Sequence, residues 1–219
     1  MGGYSPKYFM NMRIKRIGVY VLGLLVLGLG ISLVIRAGLG SGAWDALYVG
    51  LNEQFGLSVG TWLIIVGILL IFINAYLLRE RPDWSVLITL FVLGQAVDLW
   101  LYIINWKPVL FGGQMGLLIV GLLVLSLGVA IYLQAKLAPT AIDKLMYGIA
   151  HRTGLSLRLS KTSGEVVALI LAWIAGGPIG IGTVLITFLV GPCVQFFMRW
   201  IESPFMSFLS PSEVCHNEG

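Results

Sequence analysis

Long apolar runs alternate along this chain with short polar breaks. Read in order, the runs predict spans over about 17–35, 59–78, 84–104, 115–133, 164–175 and 183–201. Most hold about 20 residues, the length a helix needs to cross a hydrocarbon core of ~30 Å. The runs lack the alternating apolar and polar residues of barrel strands. Two stretches break the pattern. Residues 36–57 open on Arg36-Ala37-Gly38-Leu39-Gly40-Ser41-Gly42-Ala43-Trp44-Asp45, a glycine-rich interruption that presents an aspartate and resumes as a short helix. Residues 134–155 do the same around Pro139-Thr140-Ala141-Ile142-Asp143.

The two breaks are copies of one pattern. Ninety-eight residues separate Ala37 from Ala135, Leu39 from Leu137, Asp45 from Asp143, Leu47 from Leu145 and Gly50 from Gly148. The register continues through Gly56-Leu57-Ser58 against Gly154-Leu155-Ser156, and through Val86-Leu87-Ile88-Thr89 against Val184-Leu185-Ile186-Thr187. After one gap, Gly94 matches Gly191 and Asp98 matches Gln195. The expected architecture is all-α and polytopic. Six spans form two repeats, 17–105 and 106–201, each with a broken or re-entrant helix after its first span. A basic segment, 1–16, precedes them and a polar, mobile tail, 202–219, follows.

Composition narrows the class. The chain is 58% hydrophobic and 11% charged, far below the ~25% charged residues of a soluble domain. The net charge of +4 does not point to nucleic acid, because the basic residues sit between spans. With six spans and the N-terminus inside, twelve Lys and Arg fall on the inner side and only Arg36 and Lys107 on the outer. That bias favours six crossings over eight and places both termini in the cytoplasm. The apolar run after Arg16 is longer than a signal peptide's core and is followed by Arg36, so it reads as an uncleaved span. Three spans per repeat is an odd number, so the second repeat enters from the opposite face. Inverted repeats with discontinuous helices recur among transporters, whose sites lie near the midplane where the halves meet.

Asp45 and Asp143 lead the candidates for chemistry. A carboxylate in the bilayer interior needs a partner, water or a proton. Arg36, Lys136 and Lys144 are the nearby cations in sequence. One reading makes the two acids a cation or proton pathway. The other makes them helix caps, since Thr140 and Asp143 have capping-box spacing and Gly42 to Asp45 repeats it. The readings are compatible. A negative charge at a helix start also makes a cation or neutral solute a better guest there than an anion. Trp44 and Thr140 flank the two acids, and Asp98 in the third span and its counterpart Gln195 complete the candidate pathway with Arg36. Asn74 reads as an interhelical hydrogen bond, Glu165 as an interfacial helix-start acid and His151 as a solvated loop residue. Gly23, Gly28, Gly30, Gly121 and Gly128 read as close helix contacts. Gly38, Gly40 and Gly42 do not form a nucleotide-binding fingerprint. No His/Cys cluster or Ser/His/Asp set is assembled, so no cofactor, metal site or enzyme activity is expected.

The run Arg36–Leu47, the span pattern and the second copy ending at Asp143 resemble the bacterial YczE/YitT-type integral membrane proteins. The resemblance covers about residues 13–200. It implies a bacterial inner-membrane location and a transport role, and it supplies no catalytic residues. The expected function is a gradient-driven transporter or permease for a small solute or ion. The alternative is a non-transporting scaffold or substrate-binding subunit of a larger assembly. Expected partners are the lipid bilayer, a small solute, and a second copy or a membrane partner protein.

Overall fold

The structure, a computed structural model, describes residues 6–135, 137 and 140–209, with side chains from Ile14 to Ile201. The described residues form helices and no strands. In order these are α1 (Pro6–Ala37), α2 (Ala43–Phe55), α3 (Val59–Leu78), α4 (Ser85–Ile103), α5 (Phe111–Gln134), α6 (Ala141–Thr153), α7 (Leu157–Ile174) and α8 (Ile181–Leu209). Five stretches, in α1, α3, α4, α5 and α8, are long and apolar enough to cross a membrane. The expected fifth span is not among them. Arg158 and Lys161, expected in a basic loop before that span, lie with Glu165 in the first half of α7. Helix α8 also runs on to Leu209, past the expected span end at Ile201; residues 210–219 of the predicted tail lie outside the described residues.

The core is the crossing of α1 and α5. In lipid, apolar side chains gain little by leaving their surroundings, so helices associate through close packing and polar ties. Glycine supplies the closeness. A Cβ at Gly23 would stand 2.5 Å from the Tyr132 amide nitrogen, and one at Gly121 would stand 2.9 Å from that of Val34. Gly30 packs on Leu125 and Gly128 on Leu27 in the same way. Helix α4 joins α1 through polar ties. The Trp100 indole donates to the Leu25 carbonyl (3.0 Å), the Ser32 hydroxyl reaches the Val97 carbonyl (3.2 Å), and the Tyr20 and Thr89 hydroxyls meet at 2.5 Å.

The break between α1 and α2 is built on backbone. Gly38 and Gly40 have φ of 71° and 101°, which end α1 and turn the chain back. The loop then docks on the 176–182 turn of the other half. The Ser41 amide donates to the Pro178 carbonyl (3.2 Å) and the Gly182 amide to the Leu39 carbonyl (2.8 Å). A Cβ at Gly40 would lie 2.5 Å from the Gly180 nitrogen, so only glycine lets the two loops meet.

The helix packing runs in matched pairs. Helix α1 packs on α4 as α5 packs on α8, and α2 on α3 as α6 on α7. Each short helix also crosses over, α2 onto α7 and α6 onto α3. One pair breaks the match: α3 lies along α4, whereas α7 and α8 scarcely touch.

Candidate functional site

The two short helices begin at a shared chamber. Helix α6 starts with a complete capping box. The Asp143 amide donates to Thr140 Oγ1 (3.2 Å), while Asp143 Oδ2 accepts from the Thr140 amide (3.3 Å) and hydroxyl (2.8 Å). A further donor arrives from α5, the Tyr132 hydroxyl, at 2.7 Å. The Tyr132 ring in turn stands edge-on to Tyr20, with centroids 6.1 Å apart. Asp143 is thus both the cap of α6 and its hydrogen-bonded tie to α5.

Helix α2 starts differently. Gly42 holds the N-cap position and has no side chain to cap with. Asp45 follows at the third helical position, and its Oδ2 folds back to within 3.0 Å of where a Gly42 Cβ would be. Among the described residues, no hydrogen bond or ion pair reaches the Asp45 carboxylate. The cations expected nearby are committed elsewhere. Arg36 donates to the Leu101 carbonyl at 2.5 Å, and Lys144 pairs with Asp83 in the turn between α3 and α4. Lys136 lies outside the described residues.

The chamber has a volume of about 430 Å³ and takes a wall from every helix. Asp45, Asp143, Trp44, Thr140 and Gln195 all line it, together with Tyr48 and Tyr132. Leu27, Ile31, Leu63, Leu70 and Leu125 supply much of the apolar wall. The chamber reaches the gap between α7 and α8, with Lys161 and Glu165 on one lip and Gly191, Val194 and Gln195 on the other. Lys161 and Glu165 face each other at 3.8 Å. A recess of about 130 Å³ beside this lip is lined by Asp143, Trp44 and Ser160, whose hydroxyl is fully buried without a partner.

Two predicted pathway residues do not join the chamber. Arg36 is held at the far end of α1 by the α4 carbonyl. Asp98 clamps α3 to α4: Oδ1 accepts from the Gly60 amide (2.8 Å) and Oδ2 from the Ser58 hydroxyl (2.5 Å). It thereby satisfies the start of α3, where Ser58 is also the N-cap. Its counterpart Gln195 has no such duty and faces the chamber. Asn74 makes the expected interhelical bond, donating to the Ala141 carbonyl (2.8 Å), and His151 is exposed. The sequence reading missed Tyr132, Ser160 and Lys161. A tyrosine hydroxyl inside an apolar span must find a partner, and that signal was available for Tyr132.

Long apolar helices around a chamber with acidic helix starts define the class, a multi-pass helical membrane protein. The model of a family of unknown function, DUF6198, matches residues 14–199, and the chain belongs to that family. It is 41% identical over 191 residues to the uncharacterized protein YyaS of Bacillus subtilis, covering 86% of this chain and 94% of that one. It is 33% identical over 180 residues to the uncharacterized membrane protein YczE of the same organism, covering 81% and 82%. An uncharacterized protein of Haemophilus influenzae is 31% identical over 189 residues, covering 85% of each chain. The predicted YczE-like membership therefore holds. No solved structure matches.

Proposed function

We propose that this protein is a gradient-driven permease for a small solute in a bacterial inner membrane. It makes six crossings in two inverted repeats, with both termini cytoplasmic. The observation that carries the reading is the chamber itself, which gathers both broken helix starts and their acids between the halves. A scaffold would have a dry interface there instead.

The matched packing supports the repeats, and its one mismatch supports movement. Helix α7 serves as the sixth crossing, with Lys161 and Glu165 turned to the chamber and recess rather than to lipid. In the first repeat α3 and α4 are zipped by Gly60, Gly94 and Asp98. In the second, α7 and α8 stand apart, and a Cβ at Gly191 would meet nothing within 4 Å. One repeat closed and its counterpart open is the asymmetry of a carrier caught in one of two mirror states. The reading assigns no catalytic step.

The test is flux into sealed vesicles across a metabolite panel. Asp45→Asn is expected to cut the flux of the carried solute at least tenfold; unchanged flux of every solute would overturn the reading. In the same vesicles, thiols at Lys107→Cys and Lys144→Cys should label from opposite faces. Labelling from one face would overturn the six crossings.

A further inference from the structure

The same chamber also restricts what it can hold, and the inference below rests on the permease reading of it. Its acids differ in what they need. Asp143 already accepts bonds from Tyr132 and from both donors of Thr140. Asp45 accepts none from the described residues, and a carboxylate in a largely apolar wall requires a proton or a cation. Among the described residues none is placed to supply that cation. Lys161 is the one described cation on the chamber wall, and it faces Glu165 at 3.8 Å on the α7 lip. The wall is therefore acidic in excess, which opposes anions.

The shape excludes a bare ion as the whole guest. About 430 Å³ lies in the range of small-molecule sites, ~300–1,000 Å³. Among the described residues no group of three His, Cys, Asp or Glu side chains is placed to cage a metal. Leucine, isoleucine and valine are the largest class of residues in the wall, which suits a hydrocarbon body. Trp44 and Tyr48 lie one turn apart on either side of Asp45 in sequence, and aromatic rings attract cations. The recess wall adds Ser160, whose buried hydroxyl lacks a hydrogen-bond partner.

We infer that the chamber is a binding site for an organic monocation with an apolar body, its ammonium group held at Asp45 and its body against the apolar wall. Entry is through the gap between α7 and α8, where Lys161 and Glu165 neutralise each other at the lip.

The test uses the full chain in lipid nanodiscs and three ligands of matched shape: 4-phenylbutylammonium, 4-phenylbutanol and 4-phenylbutyrate. Binding is read by equilibrium dialysis against empty nanodiscs. The ammonium ion should bind at least tenfold more tightly than the alcohol or the acid. Asp45→Asn should lose at least tenfold of that affinity, and Asp45→Glu should keep it within about threefold. Equal binding of the three ligands to the wild-type chain overturns the inference without any variant, as does undiminished ammonium binding by a folded Asp45→Asn. Counterflow separates the two readings. An ammonium ion that binds but is not carried leaves the site standing and removes the permease. A neutral or anionic solute carried while the ammonium ion fails to bind does the reverse.

Discussion

The first and second halves of this chain use the same parts to different ends. In the first, α3 and α4 pack glycine to glycine, and Asp98 ties the start of α3 to α4. In the second, α7 and α8 part, Arg158 stands where Gly60 would be matched, and Gln195 replaces the clamping acid. The short helices differ as well. Helix α6 begins with a full capping box, whereas α2 begins with a bare glycine and an unbonded Asp45. Duplication supplied two equivalent frames. Small changes at facing positions closed α3 on α4 and parted α7 from α8; in the permease reading proposed above, the first is a wall, the second a doorway, and Asp45 the acid kept for a guest.

The largest effect expected from breaking this comparison lies at the matched glycines. A Cβ at Gly60 would fall 2.7 Å from the Asp98 carboxylate and still nearer the Gly94 backbone. Gly60→Leu must force α3 from α4 and should cost about 1–3 kcal/mol from overpacking alone, more if the Asp98 clamp goes with it. Gly191→Leu meets open space and should change stability by less than about 0.5 kcal/mol. Thermal unfolding in detergent measures both. Equal losses would mean that the α7–α8 gap is not open in solution.

The matched acids sharpen the contrast. Asp143→Asn removes a charged acceptor with three donors and half of a capping box, so it should destabilise by about 1–2 kcal/mol. Asp45→Asn removes no hydrogen bond and relieves an unpartnered acid, so stability should hold or rise. The same unfolding measurement reads this pair. A larger loss at Asp45 than at Asp143 would show that Asp45 has a structural partner and is not reserved for a guest.

Much of this arrangement was legible from residue order. The apolar runs marked the long helices, the glycines at 38–42 marked the first break, and Thr140-Ala141-Ile142-Asp143 marked the cap of α6. The ninety-eight-residue repeat matches Asp45 with Asp143, and both line the chamber. What stayed hidden depends on partners distant in sequence. Asp98 looked like a pathway acid, because nothing local shows that the free amides at the start of α3 come to meet it. Arg36 looked like a partner for Asp45, because its reach to the Leu101 carbonyl crosses 65 positions. The start of α7 read as a loop, because Arg158 and Lys161 lower the local hydropathy; Lys161 and Glu165 line the chamber from the assembled helix. Their placement on a helix is a property of the assembled bundle, not of the local pattern.

The smallest expected effect concerns how the two short helices are anchored. Helix α2 is moored at its start by backbone bonds to the 176–182 turn, which do not titrate. Helix α6 is moored in part by the ion pair of Lys144 with Asp83. The hydrogen bond from Lys144, helped by those from Ser85, holds the Asp83 carboxyl below its ordinary value. A depressed carboxyl contributes stability that is complete above its unfolded value, about 3.9, and is lost as pH falls through its folded value. Both partners are partly exposed, so the contribution should stay below about 1 kcal/mol. Asp83→Asn should therefore lower the unfolding temperature slightly at neutral pH, and the gap from the wild type should close as pH falls below about 4. Taking the difference between the two proteins cancels the titration of the other acids. A gap that persists at low pH would assign the anchoring of α6 to the Asn74–Ala141 bond and the α3–α6 packing, making it as insensitive to protons as that of α2.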